Sequence, residues 1–171
     1  MAVLALIGCS KNSFKIGEDQ WPIVSSGSVS EKAFKEAIVG YGWKSGIVYE
    51  MEGGKVTDRN FFEDRDGGGP VHYYFGENER TAFMSADWYP ADGYYIRPYE
   101  YRGKESAVYV NGAKSMLIAR LDNNSFDAIV MMGVNSYGVA SFGFITYHRM
   151  SEEELSAMRK KYSSDLDKLR R

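Results

Sequence analysis

The chain has 171 residues, and its 21 basic and 23 acidic residues leave a net charge of −2. This balance excludes a general nucleic-acid binder, which carries a strongly basic face. An apolar content of 44% excludes a disordered chain, and a single cysteine excludes an internal disulfide framework. The 15% aromatic content, with 13 Tyr, and the 18 Gly favour β-strands joined by tight turns.

An apolar segment, Ala2–Ile7, opens the chain, but it is too short for a membrane-spanning helix, which needs about 20 apolar residues. The segment runs into Leu6-Ile7-Gly8-Cys9, which resembles the lipobox of bacterial lipoproteins. The resemblance implies that Cys9 is diacylated and that the peptide before it is removed. No basic residue precedes Cys9, so we expect a longer signal peptide that begins upstream. The alternative is a buried first strand over Val3–Ile7 with a free thiol.

A short helix is predicted over about Val29–Val39, after a tether rich in Ser and Lys. Ser28 and Glu31 have the spacing of a capping box, in which each side chain satisfies a free backbone N–H. Gly40 and Gly42 then end the helix. The apolar residues at helical spacing are Val29, Ala33, Phe34, Ala37 and Ile38.

Nine apolar-rich runs separated by turn residues fill the chain from Trp43 to Arg149. Gly-Gly, Asp-Gly and Asn-Gly pairs between them supply the positive φ angles that tight hairpins require. Connections this short cannot hold crossover helices, so the strands are predicted to form an antiparallel up-and-down meander. We expect this mainly β chain to close into an eight- or nine-stranded barrel, with an antiparallel β-sandwich as the alternative. The predicted strands are 43–51, 55–62, 70–75, 80–88, 94–101, 106–110, 114–121, 125–134 and 138–149.

A second helix is predicted for the C-terminal segment. Ser151 and Glu154 repeat the capping-box spacing, and the acidic first turn and basic end suit the helix dipole. A narrow apolar stripe favours packing of this helix against the barrel. The stripe consists of Leu155, Met158, Tyr162, Leu166 and Leu169.

The order of these features resembles that of the lipocalin-like lipoproteins of Bacteroidetes-type bacteria, within the calycin group. Gly40-Tyr41-Gly42-Trp43 opens the first strand, and Tyr147-His148-Arg149-Met150 closes the meander. In lipocalins a Gly-x-Trp motif opens the first strand, and a basic residue near the last strand packs across the indole. The resemblance therefore implies a barrel that Trp43 and Arg149 close at one end.

The sequence contains no catalytic or metal-binding motif, and we predict neither enzymatic activity nor a cofactor. His72 and His148 fall in separate strands without ligand-spaced partners, whereas a zinc site needs three or four ligating side chains. Six aromatic residues lie between Trp88 and Tyr101. Such rings suit half-exposed contacts with sugars, lipids or proteins, and they also suit cross-strand packing of tyrosine pairs.

The resemblance implies a lipid-anchored cell-envelope protein that holds a small apolar or amphipathic ligand in a lipocalin-like barrel. The alternative is a non-catalytic envelope component with a packed barrel that binds a protein or a glycan through its aromatic surface. Cys9 is the predicted membrane attachment point. Ser10-Lys11-Asn12-Ser13 lacks the acidic run that hints at surface export, so we expect an outer-membrane anchor on the periplasmic side.

Strand alternation predicts that Trp43, Ile47 and Tyr49 share one face of the first strand and lie near the cavity of a hollow barrel. The full set of residues predicted to bind the ligand is Trp43, Ile47, Tyr49, Phe83 and Trp88. The predicted segments are 1–8 (remnant of the signal peptide), 9–28 (lipid-anchored tether), 29–150 (barrel) and 151–171 (C-terminal helix).

Overall fold

The computed structural model describes residues 13–24, 29–63, 71–85 and 94–161. The elements in chain order are β1 (Lys15–Ile16), β2 (Pro22–Ile23), α1 (Glu31–Ala37), β3 (Gly42–Glu52), β4 (Lys55–Asn60), β5 (Val71–Phe75), β6 (Arg80–Ser85), β7 (Tyr94–Arg102), β8 (Ala107–Val110), β9 (Ala113–Leu121), β10 (Ser125–Val134), β11 (Ala140–Arg149) and α2 (Glu152–Lys161).

Eight antiparallel strands close into a barrel in the order β3-β5-β6-β7-β8-β9-β10-β11, because β11 pairs with β3 as well as with β10. Strand β4 is an extra strand on β3, and β1 and β2 form a separate two-stranded sheet. The predicted mainly β meander, with a short N-terminal helix and a C-terminal helix, is confirmed. The eight-stranded form of the barrel is the one that the chain adopts.

The tight turns lie where the sequence predicts them. Asn111 and Gly112 connect β8 to β9 with positive φ angles of 50° and 77°, as a two-residue hairpin turn requires. Gly53 and Gly54 connect β3 to β4 with φ angles of 53° and 81°. Turns of this kind match the right-handed twist of the strands, so the local sequence determines which strands become neighbours.

Strand β3 carries a β-bulge that reverses its alternation. Val48 pairs with Ile145, but Ser45 pairs with Tyr147, so β3 has one residue more than β11 between these two pairs. The extra residue turns the later part of β3 over. Trp43 and Val48 therefore both point into the barrel, with exposed fractions of 0% and 1%.

An inner core fills the barrel and continues under α1. Phe34 of α1 stacks on Tyr101 with ring centroids 4.0 Å apart, and it meets Phe75 edge-on at 5.5 Å. Helix α1 therefore covers one end of the barrel, which we call the helix end. The inner core consists of Val29, Phe34, Ile38, Trp43, Val48, Phe61, Tyr73, Phe75, Tyr99, Val108, Met116, Ile118, Phe126, Ala128, Ile145 and Tyr147.

An outer core lies on the other face of the sheet and is covered by the β1–β2 sheet. Trp21 is buried there against Phe142, with ring centroids 4.9 Å apart, and Phe14 lies 6.3 Å from Phe144. The sequence predicts a tether over residues 9–28, whereas residues 13–24 pack on the barrel because these two aromatic side chains find partners on β11. The outer core consists of Trp21, Ala107, Leu117, Ile129, Phe142 and Phe144.

Both helices begin at serine caps. The Ser151–Glu154 capping box forms as predicted: the Glu154 N–H donates to Ser151 Oγ at 3.1 Å, and the Ser151 N–H donates to Glu154 Oε2 at 2.9 Å. Helix α1 is instead capped by Ser30, whose Oγ accepts the Ala33 N–H at 3.1 Å. The predicted cap Ser28 lies outside the described residues.

Candidate binding surfaces

In the described part of the barrel, aromatic side chains occupy the interior. Trp43 packs edge-on against Phe126 at 4.8 Å between ring centroids, and Phe126 stacks on Tyr147 at 4.9 Å. The hydroxyls of Tyr147 and Tyr73 share a hydrogen bond in this core, and burial raises the pKa of both side chains. All four rings are buried, with exposed fractions of at most 7%. Such packing leaves little room for an apolar ligand.

Trp43 and Arg149 meet at the helix end of the barrel. The Arg149 guanidinium lies 5.4 Å from the Trp43 ring centroid and 3.8 Å from that of Tyr41. Its Nη2 donates to the Ala37 carbonyl at 2.8 Å, and Trp43 Nε1 donates to the Ile38 carbonyl at 3.0 Å. The cation therefore links the last barrel strand to the end of α1 and to two aromatic faces.

Two of the other predicted ligand-binding residues, Ile47 and Tyr49, lie on the outer face of β3. Ile47 is 53% exposed, and Tyr49 pairs with Phe144, whose side chain belongs to the outer core. The bulge in β3 is the physical reason, since it separates both side chains from the face of Trp43. Phe83 lies in β6 opposite Tyr73, and its side chain is outside the described part of the structure. Cys9 and Trp88 lie outside the described residues.

The aromatic segment 88–101 contributes to the core at its described end. Tyr99 donates to the Gly76 carbonyl at 2.9 Å, and Tyr101 donates to the Val29 carbonyl at 2.6 Å. Burial raises the pKa of each of these side chains to about 12. Both rings also lie against Phe34, so these two tyrosines act as packing residues between β7 and α1, whereas the alternative predicted from the sequence is packing of tyrosine pairs across strands.

A shallow groove of about 140 Å³ lies at the helix end, between α1 and β7. Its apolar floor is formed by Phe34, Tyr99 and Tyr101. Three carboxylates and one ammonium group surround this floor, so the rim carries a net negative charge. The charged rim residues of this helix-end groove are Glu31, Lys35, Glu79 and Glu100.

A second groove of about 220 Å³ lies at the opposite end of the barrel, which we call the tip. The β1–β2 sheet, the β3–β4 turn and the β10–β11 hairpin surround it. The Gln20 side chain joins two of these parts, because its Nε2 donates to the Gly138 carbonyl at 3.4 Å and its Oε1 accepts the Ala140 N–H at 3.2 Å. The apolar lining includes Ile16, Pro22, Met51, Val139, Ala140 and Phe142.

A charged network holds the β1–β2 sheet on the barrel. Lys114 Nζ lies 2.9 Å from Asp19 Oδ2 and 3.2 Å from Glu105 Oε2. The hydrogen bond from Lys114 holds the pKa of Asp19 below its usual range. For Glu105, the bond from the Tyr109 hydroxyl lowers the pKa most, and Lys114 lowers it further. Lys114 also lies 5.6 Å from the Trp21 ring centroid, so charge and packing act on the same segment.

Within the described ranges, no group of three or more His, Cys, Asp and Glu side chains is arranged to hold a metal ion. In that same part of the chain, no helix combines the length and apolar character needed to cross a membrane.

The chain matches no protein-family model, and neither the search of curated proteins nor the search of solved structures finds a significant match.

The sequence analysis missed the residues that build the tip. Trp21 and Phe14 stand in the predicted tether, and an isolated Trp-Pro pair in a Ser- and Lys-rich segment is a signal that this segment packs. The turn predicted between strands 125–134 and 138–149 consists of Asn135, Ser136 and Tyr137, but nothing in their spacing indicates that apolar side chains remain exposed beside them. That exposure is a property of the folded hairpin.

Proposed function

We propose that this chain is a lipid-anchored, non-catalytic binding protein of the bacterial cell envelope, whose barrel is a solid scaffold and whose partner binds on the outside. A closed barrel with a buried aromatic cluster is compatible with ligand binding in general. The observation that carries the proposal is the filled interior, where Trp43, Phe126 and Tyr147 occupy the space that an internal ligand needs.

The sizes of the recesses support binding to a macromolecule. Ligand sites for drug-sized molecules measure about 300–1,000 Å³ and enclose most of the ligand. The grooves at the helix end and at the tip measure about 140 and 220 Å³, and both are on the outside of the barrel. Shallow recesses of this size suit single side chains of a partner.

The helix-end groove is the surface where we place the partner contact. Its aromatic floor and its excess of carboxylates favour a basic side chain, because a cation gains both from the ring faces and from the negative rim. A partner protein that presents Lys or Arg fits this chemistry better than a neutral glycan does.

A ligand screen tests the solid scaffold. We expect that fatty acids, sterols, haem-like and quinone-like compounds leave the melting temperature of the purified chain unchanged, and that native mass spectrometry finds no co-purified small molecule. Mass action makes the assay sensitive, since a ligand at 100 times its dissociation constant adds about 2.7 kcal/mol of stability. A saturable rise in melting temperature with any of these compounds contradicts the proposal.

Metabolic labelling tests the lipid anchor separately. When the chain is expressed with a complete signal peptide, we expect palmitate to be incorporated and the protein to fractionate with membranes. Cys9→Ala removes the thiol that carries the lipid, so this variant should lose the label and remain unprocessed or soluble. Labelling that persists in Cys9→Ala excludes the anchor at this residue.

A further inference from the structure

We propose that the tip of the barrel is a membrane-contacting surface, on which Ile16, Val134, Tyr137 and Val139 rest against the lipid headgroup region. These four residues are called the tip surface below. The inference deepens the proposed function, because it rests on a lipid anchor near the N-terminus. It adds the orientation of the barrel and the side chains that touch the lipid.

Exposed apolar side chains are concentrated at the tip. Among the described residues, seven large apolar side chains are exposed, and five of them belong to the β1–β2 sheet or the β10–β11 hairpin. Tyr137 is 89% exposed, and Val134 and Val139 are 58% and 55% exposed. A concentration of this kind on one end of a folded domain marks a contact surface. Tyrosine is a residue that favours the membrane interface, where its ring is apolar and its hydroxyl stays hydrated.

The hairpin holds these side chains outward in a defined turn. Asn135 Oδ1 accepts the N–H groups of Tyr137 and Val139 at 2.9 and 3.0 Å. The Gly138 N–H donates to the Asn135 carbonyl at 3.0 Å, with a positive φ of 75° at Gly138. The backbone conformation of the turn therefore keeps the Tyr137 side chain exposed.

The path of the chain brings the anchor to the same end. The Phe14 N–H donates to the Gly54 carbonyl at 2.8 Å, and a side chain at Gly54 would lie 2.1 Å from the Phe14 carbonyl oxygen. Only glycine permits this close approach of the first described residues to the β3–β4 turn. Three residues lie between Cys9 and Ser13, and the four steps from one to the other span at most about 14 Å. A lipid on Cys9 therefore keeps the tip near the bilayer.

Charged side chains of both signs lie beside the tip. Lys15 and Lys55 are exposed there. The carboxylates of Asp19 and Glu52 are paired with Lys114 and with an arginine of β4. Each of these two cations also contacts a second carboxylate, so both clusters keep a net negative charge, and the two exposed lysines are the groups that can face lipid phosphates.

The membrane is the occupant that these observations favour over a protein. The apolar side chains surround a groove of only about 220 Å³ and project individually from a turn and a sheet, which suits shallow insertion into headgroups. The helix-end groove, at the other end of the barrel, then faces away from the bilayer and stays accessible to a partner.

The test anchors the full chain artificially, so that it does not depend on lipidation by a cell. The chain has a single cysteine, so Cys9 can be coupled to a maleimide lipid in vesicles of phosphatidylethanolamine and phosphatidylglycerol. Tyr137→Trp places a reporter at the tip, and Ile47→Trp places a matched reporter at a residue that is 53% exposed on the barrel wall. Each emission spectrum is corrected by subtracting that of the parent chain.

We expect brominated lipids to quench the Tyr137→Trp reporter and to shift its emission to the blue, and to leave the Ile47→Trp reporter unchanged. Equal quenching of both reporters, or quenching of neither, overturns the inference. A reporter at 137 that is already blue-shifted before vesicles are added also overturns it, since a protein segment or a second copy then covers the tip.

A binding measurement without any anchor provides the second arm. The background for this measurement is the full chain with Cys9→Ala. In this background we expect the double variant Tyr137→Ser, Val139→Ser to partition about tenfold less into the same vesicles, because two apolar contacts with the interface are lost. The control Ile47→Ser should have no effect. Equal partition of the tip and control variants contradicts the inference. Palmitate labelling of the unmodified chain tests the lipid anchor in the cell. Failure of the lipid anchor and failure of membrane contact by the tip are therefore recognised separately.

Discussion

Trp43 and Arg149 join the first and the last strand of the barrel at the helix end. Arg149 lies on the last strand, and Trp43 lies at the start of the first strand of the barrel, where they pair across the β11–β3 seam. Each also donates a hydrogen bond to a carbonyl at the end of α1. The contacts that close the barrel therefore also fix the helix that covers it.

Substitution of Trp43 separates packing from hydrogen bonding at this position. We expect Trp43→Ala to lower the free energy of unfolding by about 3–5 kcal/mol, as for other large-to-small changes in a core. Trp43→Phe should cost about 1–3 kcal/mol, because it keeps most of the packing and leaves the buried Ile38 carbonyl without its donor. Urea denaturation of both variants checks the order: equal costs would contradict the contribution of packing, and a Trp43→Phe without cost would contradict the role of the indole N–H.

A pair of strand glycines tests how closely the interior is packed. A Cβ at Gly143 would lie 2.5 Å from Cγ1 of the buried Val48, whereas a Cβ at Gly133 would have no neighbour nearer than 3.9 Å. We expect Gly143→Ala to destabilise the protein by about 1–3 kcal/mol, the usual cost of overpacking. Gly133→Ala should be neutral or slightly stabilising. Thermal unfolding of the two variants measures the difference, and a neutral Gly143→Ala would show that β3 and β11 approach less closely.

At the scale of elements, the attachment of the β1–β2 sheet to the barrel includes the ion pair between Asp19 and Lys114. Asp19 and Glu105 have lowered pKa values, so their pairing with Lys114 stabilises the docked sheet above the unfolded carboxyl values of about 4. That contribution is lost as the pH falls through the lower values of the folded state. The barrel strands are held by apolar contacts, so their stability should be less sensitive to pH.

Hydrogen exchange measures the release of the β1–β2 sheet from the barrel at low pH. We expect the amides of Phe14 and Gly17, which donate to Gly54 and Trp21, to exchange faster below about pH 4 once intrinsic rates are corrected, while β10 stays protected. Lys114→Met should remove most of the pH dependence. Protection of these amides that does not change with pH in the unmodified chain would show that aromatic packing alone holds the sheet.

Elements with local signals could be predicted, and elements that depend on distant partners could not. Asn111-Gly112 and the serine of the second capping box specify a hairpin and a helix start within a few residues, so they were found. The bulge in β3 depends on the register with β11, and period-two alternation alone placed Ile47 and Tyr49 on the wrong face of the strand. Docking of Trp21 depends on Phe142, more than 100 residues away in the sequence. Nothing near Trp21 encodes that partner.

At the scale of the whole molecule, we propose a different contact for each end of the barrel. The tip has exposed apolar side chains next to the segment that leads to Cys9, and the helix end has a groove with a negative rim. A filled interior would make the wall between them resist compression, as closely packed protein cores do. A solid barrel of this kind can hold a binding surface at a fixed height above a membrane.

The filled interior is the central claim, and xenon binding followed by methyl NMR tests it most directly, since xenon enters dry apolar cavities. We expect no saturable shift of the inner-core methyl groups, such as those of Val48, Ile118 and Ile145, in the unmodified chain under xenon pressure. Met116→Ala opens a void at a residue that is 1% exposed, so the same methyl groups should shift in that variant. Saturable shifts of these groups in the unmodified chain would contradict the solid barrel and return the ligand site to its interior.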